Sequence, residues 1–258
     1  MENRKAFLLA VQQPAVLLDT PFCALLFSQA LNPGLDVQHH VDLLKSLTDE
    51  AVKLEIDSAD ALLSFVNQKH RFRGNPDDYY QIENSLLDTV LIKRIGIPIS
   101  LAIIYLAIGK ATRLSVYGIS FPGHFLVGVG PQAGLNTPAT TANVTDTQPP
   151  FDSSHKLIDP FAARIVSRQQ CFNLLDQLYQ GQVQHNDNYF APAGNDTILL
   201  RLIENIKAIF LKQGDADMAL TCLDYQLLVS PADSNLLNQQ QQLLDHIKKQ
   251  GGESSVMH

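Results

Sequence analysis

Apolar side chains recur every three to four residues through the first third of the chain. Leu43, Leu44, Leu47, Ala51 and Leu54 share one face, and Ala61, Leu62, Phe65 and Val66 repeat the pattern after Ser58. Positions three and four apart stack on one side of an α-helix, so both stretches predict helices. "RGNPDD" interrupts them as a turn, because Pro76 fixes its own φ and pushes Asn75 away from helical angles. A short helix is then predicted over Leu86 to Arg94, capped by Asn84 or Ser85.

The pattern changes at Gly96, which breaks the chain, and Pro98, which restarts it. Proline suits the first position of a helix, where its missing N–H has no partner to lose. From Ile99 to Thr112 apolar side chains point nearly all round, which predicts a helix enclosed by protein. "LSVYGIS", "HFLVGV" and "HKLID" follow with strand character and predict an antiparallel sheet against that helix. Residues 130–155, between the last two runs, are rich in Pro, Gly, Thr and Asn without periodicity and read as a long excursion from a hairpin. "SRQQCFNLLDQLY" opens another helix with a capping box from Ser167 to Gln170.

Beyond "NYFAPAGND" the style changes again. "ILLRLIENIKAIFLKQGDADMALTCLDYQLLVSPADS" reads as a helix, a tight turn at Gly214 and Asp215, and a second helix ending at Pro231. The division expected is residues 1–190 as an α+β domain that includes the N-terminal helices, and 191–258 as a helical region.

Composition narrows the function classes. Of 258 residues, 45% are apolar, which excludes general disorder. The net charge of −7 argues against nucleic acid, whose affinity for proteins comes largely from Lys and Arg. The densest basic stretch, "NQKHRFRGN", is followed at once by Asp77 and Asp78 and reads as a solvated loop. Cys23, Cys171 and Cys222 are an odd number without CxxC spacing, so neither a disulfide framework nor structural zinc is expected. Asp77 and Asp78 are too few for a metal site, and no cofactor motif stands out. "IGIPISLAIIYLAIG" falls short of the ~20 residues needed to cross a bilayer. The apolar run of "MENRKAFLLAV" is stopped by Gln12, Gln13 and Pro14, too soon for a signal peptide. The expectation is a soluble cytoplasmic protein with no membrane or nucleic-acid partner.

One constellation could carry chemistry. A thiol attacks as the thiolate, and a helix N-terminus lowers its pKa by placing partial positive charge beside it. A His on a neighbouring strand can take the proton and an Asp on the next strand can orient the imidazole. The chain offers a helix start at Gly96 to Pro98, His124 on "HFLVGV" and Asp159 on "KLID", in that order.

With "FRGNPDDYY", "NSLLDTVLIKRIGIPISLAIIYLAI", "VYGISFPGHFLV", "LIDPF" and "NIKAIFLKQGDADMAL", the chain resembles the transglutaminase-like superfamily. Within it, the chain is similar to the bacterial SirB-type proteins with a tetratricopeptide-like tail. These stretches cover most of the chain from Phe72 to Pro231. The resemblance implies an α+β, cysteine-protease-like core with a central buried helix, an antiparallel sheet and N-terminal helices, followed by a tetratricopeptide-like helical hairpin. Phe210, Gly214, Ala219, Leu223 and Pro231 fall at that repeat's offsets, although one unit does not make a solenoid. His124 and Asp159 then occupy the positions of the superfamily's catalytic His and Asp. Matching its Gly-x-Cys-x-x-x-Ala helix start to Gly96, Pro98 and Ala102 puts Pro98 where Cys belongs. Proline offers no nucleophile and no N–H for an oxyanion.

Other nucleophiles remain open. Ser100 lies about 200° round the helix from Pro98 and is expected to satisfy first-turn backbone. Cys171 starts a helix soon after the Asp strand, a position that could lower its pKa, while Cys23 and Cys222 read as core. His124 itself could be an interior histidine bonded to Asp159 for structural reasons. Tyr79, Tyr80 and Asn84 could line the mouth of the cleft, or could pack and cap the neighbouring helices. Two functions follow. One is a non-catalytic binding or scaffold module that meets a protein or peptide at the cleft or the tail. The other is a cysteine- or serine-dependent hydrolase or acyltransferase with a relocated nucleophile.

Overall fold

The computed structural model describes residues 2–130 and 155–254; most of the excursion expected over 130–155 therefore lies outside the described residues. At the centre is helix α6 (Pro98–Thr112), preceded in the chain by α1 (Glu2–Val11), α2 (Thr20–Leu31), α3 (Val37–Lys53), α4 (Ala59–Leu63) and α5 (Leu87–Lys93). Leu101, Ala102, Ile103, Ile104, Tyr105 and Ile108 on α6 are all fully buried. Each such Leu or Ile stabilises the fold by roughly 1.5–3 kcal/mol relative to exposure. Apolar character all round the helix is thus explained by partners on every side: α3, helix α8 (Asn195–Gln213) and the sheet pack against it.

Helix α4 begins on Ser58, whose hydroxyl accepts the Ala61 N–H, and passes into a π-helical turn over Ser64–Lys69. Asn67 in that turn donates to the Phe72 carbonyl at 2.6 Å and accepts from the Tyr105 hydroxyl. The turn predicted at "RGNPDD" starts later than expected. Arg73–Gly74 forms strand β1, which pairs in parallel with β2 (Ile95–Gly96). The cap predicted for α5 is also corrected: Leu86 holds that position without a side-chain bond, because Asn84 turns inward instead.

The main sheet has the order β3-β4-β5-β6, every pair antiparallel. Its strands are Val116–Ile119, Leu126–Val129, Lys156–Asp159 and Arg164–Val166. Three of them match the predicted runs, and β6 adds an edge strand. Side chains alternate between the faces: Val127, Val129 and Ile158 enter the main core with α6, whereas Leu126 and Leu157 enter a second cluster with Cys171, Leu175 and Phe190. Helix α7 (Arg168–Tyr179), capped by Ser167 and Gln170 as expected, covers that second face.

The C-terminal helices are α8 (Asn195–Gln213), α9 (Ala216–Val229) and α10 (Ser234–Ser254). Gly214 ends α8 at φ 77°, and Asp215 caps α9 through the Met218 N–H. Ala219 is fully buried where α8 and α9 meet. These helices share the main core: the Tyr225 ring meets Phe7 edge-on at 4.7 Å and its hydroxyl donates to Asn3 Oδ1 at 2.6 Å.

Candidate functional site

The site is built where β4 begins and β5 ends. Phe121-Pro122-Gly123-His124 is a β-turn closed by the His124 N–H on the Phe121 carbonyl at 3.1 Å. Proline at its second position and Gly123 at φ 69° in the third are the residues a type II turn demands. His124 therefore stands in the turn before β4, which starts at Leu126, and not on the strand itself. The turn aims its ring at the last residue of β5.

His124 Nε2 lies 3.0 Å from Asp159 Oδ1, with side-chain exposures of 11% and 8%. The same oxygen accepts the Phe161 and Ala162 N–H groups, each at 3.0 Å. Burial alone pushes the Asp159 carboxyl up. The hydrogen bond and charge of His124, with the two backbone donors, outweigh it and hold the carboxyl below its ordinary range. An ionised carboxylate only accepts, so Nε2 carries the proton and a neutral His124 keeps Nδ1 as its acceptor. That tautomer is the one a general base needs.

Beside the pair stands a residue that sequence reasoning missed. Arg201 of α8 donates from Nη1 to Ser120 Oγ at 2.6 Å, and from Nη2 to the carbonyls of Phe121 at 2.9 Å and His124 at 2.5 Å. Its guanidinium also lies 5.5 Å from the Phe125 ring centroid. The signal available in the sequence was a single Arg between Leu200 and Leu202, in a helix whose other face is apolar. Nothing local says which turn such a group will reach.

The start of α6 meets the Asp159 loop across the small parallel pair. Gly74 faces Gly96 in register, and a Cβ at Gly74 would lie 2.5 Å from the Phe161 ring. Only glycine lets that ring lie against β1. Pro98, at the first position of α6, is buried. Ser100 is fully buried, with its hydroxyl accepting the Ile97 N–H at 3.0 Å and donating to the Asn84 carbonyl at 2.6 Å. Its bonding capacity is spent on the helix start. Cys171 lies within electrostatic reach of Asp159, but burial, and then that carboxylate, push its thiol up to about 12. The expectation that its helix position lowers the thiol pKa is corrected: desolvation outweighs the helix end. Burial likewise raises Cys23 and Cys222 to about 12.

Tyr79 and Tyr80 are 37% and 61% exposed, their rings 5.3 Å apart. Tyr79 stands 5.7 Å from Phe161 and within electrostatic reach of Arg201, and Lys212 Nζ sits 4.1 Å over Tyr80. Tyr79 therefore borders the loop that follows Asp159, and Tyr80 faces Lys212 beyond it. Asn84 does not open to solvent: it is 3% exposed and donates to the Asp78 carbonyl at 2.7 Å. It holds the loop that carries the tyrosines. Among the described residues no group of three or more His, Cys, Asp or Glu is placed to hold a metal ion. No helix among them is long and apolar enough to cross a membrane.

The comparisons with known proteins agree with this architecture. A family model described as the transglutaminase-like superfamily matches residues 36–204, which hold α6, the sheet, His124, Asp159 and Arg201. A UPF0162 protein of Xylella fastidiosa (strain 9a5c) is 30% identical over 220 residues, covering 81% of this chain and 70% of that protein. A UPF0162 protein of Vibrio cholerae is 26% identical over 216 residues, 81% of this chain and 73% of its own. Human F-box only protein 21 is 36% identical over 76 residues, 30% of this chain and 12% of that protein. No solved structure matches.

Proposed function

The chain belongs to the transglutaminase-like superfamily, and we propose that within it this protein is a non-catalytic binding or scaffold module. The old active cleft would be kept for recognition of a protein or peptide. The observation that carries the reading is the helix start. Matching Gly96 and Ala102 to the superfamily's helix start would put Pro98 in the nucleophile's place, and the nearby Ser100 hydroxyl, held between Ile97 and Asn84, supports the reading. A His–Asp pair without an activated nucleophile polarises nothing, yet it still gives the cleft a fixed shape and charge.

The finer assignment is a SirB-type protein whose last 68 residues or so, 191–258, act as a tetratricopeptide-like unit. The tight Gly214 turn between α8 and α9 and the buried Ala219 support it. This unit would pack on the core and offer a second partner surface, and the protein would work in the cytoplasm.

The rival is a hydrolase or acyltransferase with His124 as base, Asp159 as orienter and Ser100 or Cys171 as nucleophile. One observation favours it, the intact 3.0 Å His124–Asp159 bond. Against it stand the bonded hydroxyl and the raised thiol. The experiment is an acyl-transfer and hydrolysis assay with a glutamine-bearing peptide, a fluorescent primary amine and a p-nitrophenyl ester. The expected result is no turnover above that of His124→Ala. Turnover that His124→Ala abolishes would overturn the non-catalytic reading.

A further inference from the structure

We propose that the edge between Tyr79–Tyr80 and the outer face of α8 binds an extended acidic peptide, with Arg201 and Lys212 receiving its carboxylates. The proposal rests on the binding reading above and adds to it the chemistry of the ligand.

Arg201 and Lys212 are eleven residues apart on one helix. At 3.6 residues per turn that is about three full turns, so they share a face roughly 16 Å apart along the axis. Asn205 and Ala208 lie on the same stripe between them, one short and polar, the other small, leaving the face low. An extended chain rises about 3.3 Å per residue, so the stretch of α8 between the two backbone positions is matched by a segment of about five residues.

Charge favours an acidic occupant. Among the described residues neither Arg201 nor Lys212 has a carboxylate within 4.0 Å, whereas Lys207 between them is paired with Glu204 at 2.6 Å. Arg201 spends three of its five N–H donors on a hydroxyl and two carbonyls, all uncharged, and burial makes that uncompensated charge costly. Lys212 lies over the Tyr80 ring, a contact that positions the ammonium and leaves its charge in place. Asp159, the buried acid beside this edge, is consumed by three donors. Asp77 and Asp78, the exposed acids of the tyrosine loop, keep their charge although Asp78 accepts from the Gln81 side chain, so the acids of the peptide belong on the α8 side of the rings.

The aromatic side completes the edge. Tyr79 and Tyr80 stand edge to face, Tyr79 reaches Phe161, and the exposed turn at Gly123 is bordered by Leu178 and the Tyr179 hydroxyl. Tyrosines of this kind supply apolar contact with a polar tip, the pairing common at peptide-binding surfaces. An extended segment lying here would set its apolar side chains on the rings and its acids toward α8, in the alternation a strand provides.

The test is fluorescence anisotropy on the full chain with three labelled hexapeptides: Glu-Leu-Glu-Glu-Leu-Glu, its Gln-for-Glu counterpart and its Lys-for-Glu counterpart. The acidic peptide is expected to bind at least about tenfold tighter than the Gln peptide, and more weakly as salt rises. Lys212→Glu, an exposed change, should weaken it about fivefold or more, and Tyr80→Ala should weaken acidic and Gln peptides alike. Equal binding of acidic and Gln peptides, indifference to Lys212→Glu, or no binding of any peptide would overturn the proposal. Gln-peptide binding that Tyr80→Ala removes would leave the cleft a binding site of another specificity, and only the turnover assay above decides against the non-catalytic reading.

Discussion

Asp159 meets His124 through the same carboxylate oxygen that closes its own loop, so one atom accepts three hydrogen bonds, all at 3.0 Å. The oxygen thereby ties β5 to the turn before β4 and fixes the imidazole. Orientation of the histidine and closure of the Phe161–Ala162 loop are one structural event. The pair thus has a structural role whether or not a nucleophile uses it.

Replacing Asp159 therefore costs more than one contact. Asp159→Ala leaves two backbone N–H groups and a ring N–H without an acceptor in a largely buried place, each worth about 1–3 kcal/mol. With partial access of water, a loss of about 3 kcal/mol is expected in urea unfolding. Asp159→Asn keeps an acceptor oxygen and should lose roughly half of that. A loss below about 1 kcal/mol for the alanine variant would mean that water replaces the carboxylate and that the loop does not depend on it.

The lowered Asp159 carboxyl also sets an acid limit, and the sign is fixed by linkage. Its folded pKa lies below its ordinary value of 3.8. The ionised form is thus favoured in the native state, and the stability it contributes is fully present above that ordinary value. It is lost as pH falls through the folded pKa. The stability gap between the natural chain and Asp159→Asn should narrow as pH falls below about 4. A gap that widens below that pH would show the carboxyl to be raised, contrary to the two backbone donors it holds.

Much of the frame was legible because burial on all sides writes an unmistakable pattern. The enclosure of α6 was visible from Ile99 to Thr112, and the strands from their alternating cores. The apolar neighbours Phe125 and Leu126 argue for a strand at His124, yet the Pro122-Gly123 pair is the stronger signal and puts it in a turn. Long-range contacts left no local trace. The parallel β1–β2 pair is two residues on each strand, too short for any period, and Arg201 reaches a turn about 80 positions away. Cys171 shows the converse limit: a helix start is legible, but the burial that decides its thiol is not.

Each of the three natural cysteines is buried with its thiol raised to about 12. At pH 7.5 the thiolate fraction is then of order 10⁻⁴ or less, and alkylation by iodoacetamide should be slow for all three. His124→Ala should not change the rate at Cys171. Mass mapping after timed labelling reads both points, and a single fast site that slows in His124→Ala would make Cys171 a working nucleophile.

Arg201 links the C-terminal helices to the histidine turn by three charge-assisted hydrogen bonds. Arg201→Ala should cost about 2 kcal/mol in unfolding and release the turn. Arg201→Lys should recover little, because an ammonium lacks the planar fork that spans Ser120, Phe121 and His124. Hydrogen exchange would show the effect at the His124 N–H ahead of the β3–β4 ladder. Equal acceleration across the whole sheet would make Arg201 a general stabiliser and no specific support of the turn.

Pro98→Cys asks whether the cleft still holds the rest of the machinery. The substitution places a thiol at the first position of α6, beside unpaired helix N–H groups whose partial charge favours a thiolate. The intact His124–Asp159 pair provides a base with the right tautomer. If Pro98 stands where the superfamily's nucleophile stood, the new thiol should alkylate at neutral pH about tenfold faster than the natural three. Adding His124→Ala should remove most of that gain, since the imidazole no longer draws the proton. Removing the proline ring also restores an N–H at the helix start, where it has no intrahelical partner and can meet an oxyanion. An introduced thiol as inert as that of Cys171, in a variant whose unfolding midpoint is unchanged, would show that the helix start is closed off from the pair. The obstacle to a working nucleophile at this position would then lie in the packing around Pro98 as much as in the residue itself.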